Sequence, residues 1–272
     1  MNTRQNGTVT AVVLAGRRNG ALDPLAERAG VPLKCLVPIA GRPLIAHVIE
    51  ALAASPHISA IRIVIDNPAL LNNVGICARL LRDRRLTAIK AEFNLADSVL
   101  AAAEGAAFPL LVTTADNVLL TPQAVGQFVT GARKAGNGAA VAFARQASVL
   151  AAHPEGQRRF YRFADDGYSN CNTYWLGART ALAAAETFRS GGQFAKYPKR
   201  ILGAFGLANL VRFKFGIGSL ADNFERFSGR FGFPIVPVVL GDGATAIDVD
   251  NARTFDIAEE LLAARTSLPA AA

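Results

Sequence analysis

Three small groups of charged and polar residues could do chemistry on a phosphorylated ligand. The first follows an apolar run and contains Gly16, Arg17 and Arg18, and a single lysine, Lys34, follows in PLKCLVPIAGRPL. Phosphate groups commonly bind where a strand passes into a loop and a helix, because backbone amides and cations can contact them there. A turn with solvated arginines would look the same, so the loop alone leaves both interpretations open.

The second group is TTADN, residues 113–117, which ends the apolar run PLLVT. A carboxylate such as Asp116 at the end of a buried strand costs free energy unless it is paired. Magnesium beside a triphosphate would pair it, because Mg²⁺ takes oxygen ligands from carboxylates and substrate phosphates. The alternative is that Asp116 caps the next helix.

The third group lies late in the chain, where Asp248 and Asp250 stand in AIDVDN. We expect a short strand over Ala246–Val249, and two residues at this spacing on a strand point to one face. Like charges there repel each other unless a cation lies between them. The pair therefore favours a bound cation, ahead of a last helix over Ala252–Ala264.

Alternating strands and helices must position these groups. The apolar runs predict strands at Val9–Ala15, Ile61–Ile65, Thr87–Ala91 and Pro109–Thr113. Helices are expected at Pro43–Ala54, at Leu70–Asp83, from Asp97 and Ser98 through Ala107, and from Thr121-Pro122 onwards. This alternation predicts a parallel sheet covered on both faces, and ligands of such sheets bind beyond the carboxyl ends of the strands. The arginine loop and TADN both lie at such ends, so we expect them to share one crevice.

The second half of the chain is less regular. We expect strands at Ala139–Ala144 and, as an edge strand, Pro234–Leu240, a turn at Asp166-Gly167, and helical structure over Ala178–Arg189 and, with breaks, Phe194–Phe233. Basic residues alternate there with phenylalanines, as a solvated helix face or as a patch for a membrane surface or phospholipid-like acceptor. They are Arg158, Arg159, Lys196, Lys199, Arg200, Arg212 and Lys214.

Composition limits the possible partners and the compartment. The chain has 272 residues, 51% of them hydrophobic, and a net charge of +8. These values predict one domain over residues 1–265 with a flexible tail at 266–272, and partners that are anionic. Nucleic acid is not expected, because the chain contains no recognised binding module. Three widely spaced cysteines favour the cytoplasm over a disulfide framework, and no signal peptide or membrane span is expected.

The segment around Lys34 resembles the MobA-like nucleotidyltransferases, which join a nucleoside monophosphate to a phosphorylated acceptor. Their motif P-K-x-L-x-x-x-x-G-x-P-L is matched by Lys34-Cys35-Leu36 and by Gly41-Arg42-Pro43-Leu44. Leu14-Ala15-Gly16 matches the start of the family's first loop, after which Arg17 and Asn19 replace glycines. The resemblance implies an α/β, Rossmann-like fold of the GT-A type, with a mixed, mostly parallel sheet and helices on both faces.

The resemblance also implies roles for the residues of the three groups. Lys34 would lie near the α-phosphate, Arg17 or Arg18 would hold the leaving phosphates, and Mg²⁺ would be bound by Asp116, Asp248 and Asp250. Residues 158–235 would form an acceptor-side elaboration. Further nucleotide contacts are expected from Leu14, Ala15, Gly16, Asp97, Ser98 and Thr114, and acceptor contacts from Arg162, Asn170 and Asn172. An ordinary helix cap near Ser98 and a hairpin turn near Asn170 are the structural alternatives.

The favoured reaction is transfer of CMP from CTP to a phosphorylated acceptor such as a lipid headgroup precursor. The alternatives are a GTP-dependent enzyme with a molybdopterin-like acceptor, a metal-dependent glycosyltransferase that uses a nucleotide sugar, and a catalytically silent nucleotide-binding protein. We expect a cytoplasmic location, with peripheral contact at the inner membrane face as an extension. The sequence predicts no oligomeric state.

Overall fold

A computed structural model describes residues 8–17, 22–186 and 206–267 of the chain. The strands are β1 Val9–Leu14, β2 Pro38–Ile39, β3 Arg42–Pro43, β4 Ile58–Ile65, β5 Leu86–Lys90, β6 Leu110–Thr114, β7 Ala139–Arg145, β8 Tyr161–Arg162, β9 Gly167–Leu176 and β10 Ile235–Leu240. The α-helices are Pro24–Arg28, Leu44–Ala54, Gly75–Arg82, Leu95–Ala103, Pro122–Ala132, Gln146–Ala152, Leu182–Glu186, Leu207–Lys214, Leu220–Phe231 and Ala252–Ser267. Each of these helices is too short or too polar to span a bilayer.

The main sheet is mixed and mostly parallel. Its order is β10-β7-β9-β6-β1-β4-β5, and β8 pairs with β9. β1 runs parallel to β4 and β6, β4 to β5, and β7 to β10, whereas β9 is antiparallel to both of its neighbours in this order. The predicted fold class is therefore confirmed. The predicted elaboration, residues 158–235, contributes β9 to the interior of this sheet.

Both faces of the sheet are covered by helices. Successive residues of the central strand β1 point to opposite sides of the sheet and therefore pack into two separate cores. Ala11 and Val13 belong to a core shared with the helices Leu44–Ala54 and Pro122–Ala132. Val12 belongs to a second core, which the helices Leu95–Ala103 and Leu220–Phe231 supply. A strand buried on both sides in this way explains the continuous apolar run that begins at Val9.

Helix starts follow local capping chemistry. Thr121 accepts a hydrogen bond from the Ala124 amide, 3.1 Å, ahead of Pro122, as predicted. The next start upstream lies earlier than predicted, because Asn94 rather than Asp97 or Ser98 is the cap, and its Oδ1 accepts from the Asp97 amide at 2.9 Å. The Ser98 hydroxyl instead accepts from the Glu92 amide, 3.1 Å, and closes the preceding loop.

Two predicted elements take a different form. The single helix expected over Leu70–Asp83 is a 3-10 segment, Pro68–Asn73, and a helix, Gly75–Arg82, because Val74 between them is extended with its side chain buried. The strand expected over Ala246–Val249 is absent from the described sheet, because a 3-10 turn at Gly243–Ala246, capped by Asp242, replaces ladder hydrogen bonds.

Other expected helices extend partly beyond the described residues. The described part of Ala178–Arg189 is a 3-10 turn, Arg179–Ala181, followed by a helix, Leu182–Glu186. Residues 194–205 of the segment expected to be helical with breaks lie outside the description, as do Arg18, Lys196, Lys199, Arg200 and residues 268–272. Residues 206–233 do form two helices with a break.

Candidate functional site

Lys34 joins two of the predicted acidic groups. It begins a 3-10 turn, Lys34–Leu36, in which the buried Cys35 fixes the backbone against the core. Its Nζ lies 2.6 Å from Oδ2 of Asp116 and 3.3 Å from Oδ1 of Asp250. Asp116 follows the end of β6, and Asp250 precedes the helix Ala252–Ser267, so Lys34 brings the second and third predicted groups together at the carboxyl end of β6.

The charges in this cluster stabilise one another. Burial alone would lower the pKa of Lys34, but the carboxylates of Asp116, Asp250 and Asp23 outweigh it and hold that pKa above its ordinary value of 10.5. The lysine is therefore fully charged at neutral pH. Because the Lys34 ammonium is already charged, it can exchange its carboxylate partners for an incoming phosphate without any change in its protonation.

Asp248 is fixed differently from Asp250. Asp248 is buried, and its carboxylate accepts a hydrogen bond from the side-chain amide of Asn172. The Asp250 side chain is 55% exposed and faces Lys34. The expectation that both acids share the face of one strand is wrong, because residues 247–250 run past the sheet without joining it. One backbone hydrogen bond, from the Val249 amide to the Asp116 carbonyl, 3.1 Å, ties this segment to the loop after β6.

A bulge in β9 aims Asn172 at Asp248. The pairing of β7 with β9 shifts register between Val141 and Phe143, and Asn172 has a φ of 46°, a left-handed conformation that asparagine tolerates better than most residues. Asn170 accepts from the Asn172 amide at 2.7 Å and donates to the Tyr174 hydroxyl at 3.2 Å. That hydroxyl lies 3.4 Å from Oδ1 of Asn172. Burial raises the pKa of Tyr174, so its hydroxyl remains a donor.

The two asparagines expected to bind the acceptor therefore belong to a hydrogen-bonded chain that ends on Asp248. Arg162, the third residue expected there, lies exposed on β8 next to the hairpin turn. A hairpin does form here, but its turn lies at Ala164-Asp165 rather than at the expected Asp166-Gly167. Gly167 already belongs to β9 and pairs with Arg162, and the Phe163 amide donates to the Asp166 carbonyl at 2.9 Å.

The loop after β1 is held by an acid that the sequence analysis missed. Asp66, directly after β4, accepts from the Arg17 amide at 2.8 Å. The guanidinium of Arg17 donates to the Pro32 carbonyl, 2.9 Å, rather than to the cluster around Lys34. A Cβ at Gly16 would lie 2.8 Å from the Cβ of Ala91, so only glycine allows this close approach. The signal in the sequence was the position of Asp66 directly after the strand predicted at Ile61–Ile65.

The remaining predicted nucleotide contacts lie around the same strand ends. Leu14 and Thr114 are register partners at the ends of β1 and β6, and the amide of Ala15 continues the ladder to Val64. Asp97 and Ser98 lie on the first turn of the next helix, where the contacts described above serve the cap and its loop.

A buried amide under the cluster was also missed. Asn117 is fully buried, and its Nδ2 donates to the carbonyl of Cys171 at 3.0 Å and to Oγ1 of Thr113 at 3.3 Å. These bonds anchor the loop that carries Asp116 to β9 beside the bulge. No pattern in the sequence distinguishes Asn117 from an ordinary loop residue.

Comparison with known proteins assigns the chain to a family. The sequence matches the family model of the MobA-like NTP transferase domain over residues 11–204. A solved structure described as a hypothetical transferase from Thermus thermophilus is 26% identical, with a TM-score of 0.75, over 92% of this chain and 100% of that one. The comparison with curated proteins gave no match.

Two further solved structures share the fold at lower identity. One is 4-diphosphocytidyl-2C-methyl-D-erythritol synthase from Anaerococcus prevotii, 10% identical with a TM-score of 0.57, covering 95% of this chain and 97% of that chain. The other is CMP:2-keto-3-deoxy-manno-octonic acid synthetase complexed with CTP, which is 14% identical with a TM-score of 0.57. That match covers 95% of this chain and 100% of that chain.

Replacing Lys34 with Met should destabilise the chain by about 2 kcal/mol at neutral pH, because the largely buried Asp116 loses its ammonium partner. The raised pKa means that this contribution is complete below pH 10.5 and is lost as the pH rises through the pKa of the folded state. Urea unfolding followed by fluorescence of the single, buried Trp175 measures it. Lys90→Met, at an exposed lysine, is the control. A Lys34 effect that does not shrink above pH 10.5 would contradict the assignment.

Substitutions of Asn172 should separate its backbone role from its side-chain role. Asn172→Gly removes the side-chain amide but keeps the left-handed backbone. Asn172→Ala also removes the side-chain amide, and its Cβ adds strain to that backbone conformation. We expect the alanine variant to be less stable than the glycine variant by about 1 kcal/mol in urea unfolding. Equal stability, or a more stable alanine variant, would show that the bulge does not impose this conformation.

Proposed function

Since the chain belongs to the MobA-like NTP transferase family, we propose that it transfers a nucleoside monophosphate from an NTP to a phosphorylated acceptor. A phosphate oxygen of the acceptor attacks the α-phosphorus and forms a new P–O bond. The bond from the α-phosphorus to the bridging oxygen of the β-phosphate breaks, and pyrophosphate leaves with that oxygen. Such a reaction needs positioning and neutralisation of charge more than covalent help from the protein.

The contact between Lys34 and Asp116 is the observation that carries this proposal. It places a charged ammonium at the carboxyl end of β6, and Arg17 from the loop after β1 contacts the Pro32 carbonyl, two residues before Lys34. In the proposal Lys34 moves from its carboxylates to the α-phosphate, and Arg17 or Arg18 holds the β- and γ-phosphates. Arg17 would have to leave the Pro32 carbonyl, which is an exposed contact and therefore inexpensive to break.

The acids around Lys34 fit a magnesium ion in their chemistry. Carboxylate oxygens are suitable ligands, and Mg²⁺ is commonly held by one or two carboxylates together with substrate phosphates and water. In the ranges that the structure describes, no three His, Cys, Asp or Glu side chains form a ready-made cluster. We therefore propose that Asp116, Asp248 and Asp250 complete a site only with the triphosphate. The ion would stabilise the charge that develops on the phosphate oxygens.

We propose CTP as the donor and a lipid headgroup precursor as the acceptor. The basic aromatic residues of the second half would suit a product destined for a membrane lipid. Two proteins that share the fold support a cytidine nucleotide by their descriptions, one as a diphosphocytidyl-methylerythritol synthase and one as a complex with CTP. Arg162, exposed beside the hairpin, is the proposed acceptor contact that lies outside the Asp248 network.

A panel of donors and acceptors tests the reaction class. Each NTP is incubated with Mg²⁺ and a series of phospho-alcohols, and pyrophosphate and nucleoside diphosphate are measured in parallel. Pyrophosphate formed with CTP and an acceptor supports the proposal. A nucleoside diphosphate released from a nucleotide sugar would identify a glycosyltransferase instead. If no NTP raises the melting temperature in the presence of Mg²⁺, a catalytically silent protein is favoured.

Asp116→Ala should abolish turnover while the chain remains folded, because it removes both the partner of Lys34 and a proposed magnesium ligand. Initial rates of pyrophosphate release measure the effect, and a thermal melt confirms folding. Asp83→Ala is the matched control, since Asp83 is exposed at the end of the helix Gly75–Arg82, and it should keep the wild-type rate. A near wild-type rate for Asp116→Ala would rule out its assigned role.

A further inference from the structure

The helix Leu207–Lys214 and the turn after it expose an apolar stripe, which we define as Leu207, Val211, Phe215 and Ile217. Their exposed fractions are 67%, 42%, 69% and 43%. Leu207, Val211 and Phe215 are spaced by four residues, and the Phe215 amide donates to the Val211 carbonyl at 3.0 Å, so the helical turn continues to Phe215. The three side chains therefore lie on one face, along about 12 Å of helix.

Among the described residues, exposed large apolar side chains are concentrated at the apolar stripe. Four of the eight exposed large apolar side chains belong to the apolar stripe, whereas Leu22, Phe93, Leu150 and Tyr161 lie elsewhere in the sequence. Single exposed apolar residues are normal on protein surfaces, but a contiguous group marks an interaction surface.

Positive charge accompanies the apolar stripe. The Nζ of Lys214 lies 5.8 Å from the centre of the Phe215 ring. The neighbouring helix Leu220–Phe231 adds Arg226 and Arg230, both exposed. Arg212 and Arg226 line one cavity together with Asp222 and Glu225, so their charges are largely balanced there. Residues 206–233 contain four basic and two acidic residues, so the segment that carries the apolar stripe has a net positive charge, and Lys214 lies at the stripe itself.

We propose that the apolar stripe docks on an anionic lipid bilayer surface. A helix with an exposed apolar face and flanking basic residues lies in the headgroup region, where apolar side chains enter the acyl boundary and ammonium groups meet anionic headgroups. The charge excess favours this occupant over a neutral apolar partner. The inference does not depend on the proposed activity, because docking requires neither nucleotide nor acceptor.

Vesicle flotation of the full chain without nucleotide tests the proposal. Vesicles of phosphatidylcholine alone are compared with vesicles that contain about a third phosphatidylglycerol. At about 0.1 M salt the bound fraction should be at least about tenfold higher on the anionic vesicles, and at about 0.5 M salt it should approach the neutral value. Absence of binding to anionic vesicles at the lower salt concentration would overturn the proposal.

Variants separate the apolar and the charged contributions. Leu207→Ser combined with Phe215→Ser should lower binding at least about tenfold, whereas the matched control Phe93→Ser should stay within about twofold of wild type. Lys214→Glu should lower binding on anionic vesicles only. Urea unfolding confirms that each variant is folded. Unchanged binding of the double variant would overturn the proposal, as would sedimentation showing that the apolar stripe instead joins two copies of the chain.

Discussion

The ion pair between Lys34 and Asp116 is the contact on which the arrangement of the site depends. Both side chains are largely withdrawn from water, so each would be costly without the other. The two residues are 82 positions apart in the chain, and Asp250, the second partner of Lys34, is a further 134 positions away. One ammonium therefore fixes the relative positions of an early turn, the loop after β6 and the segment before the last helix.

The topology of the sheet explains why these segments can meet. After β1 the chain builds β4 and β5 on one side, and then returns to place β6 on the other side of β1. The loops after β1 and β6 therefore diverge at a switch point, which is where ligands of open α/β sheets bind. The loop Gly16-Arg17 lies on the β4 side and is held by Asp66, while Asp116 lies on the β6 side.

Local patterns in the sequence predicted the elements of the first half because each depends on neighbouring residues. The buried strand over Leu110–Thr114 and the cap at Thr121 need only apolar runs and a hydroxyl before Pro122. The bulge at Asn172 and the burial of Asn117 depend instead on pairing between β7 and β9 and on the loop after β6. Nothing within a few residues of either asparagine encodes those partners, so the Asp248 network could not be predicted.

The two late acids do not have the geometry that their spacing in the sequence suggested. Their spacing suggested equivalent ligands on a strand, but a 3-10 turn and an extended segment give them different surroundings. Asp248 is fixed in the interior by Asn172, whereas Asp250 is half exposed and shares Lys34 with Asp116. If a phosphate binds Lys34 as proposed, the exposed Asp250 would lose a partner at little cost, whereas the contact of Asp248 with Asn172 would remain. The three acids therefore differ in exposure, and the proposed metal site would form around its two buried members, Asp116 and Asp248.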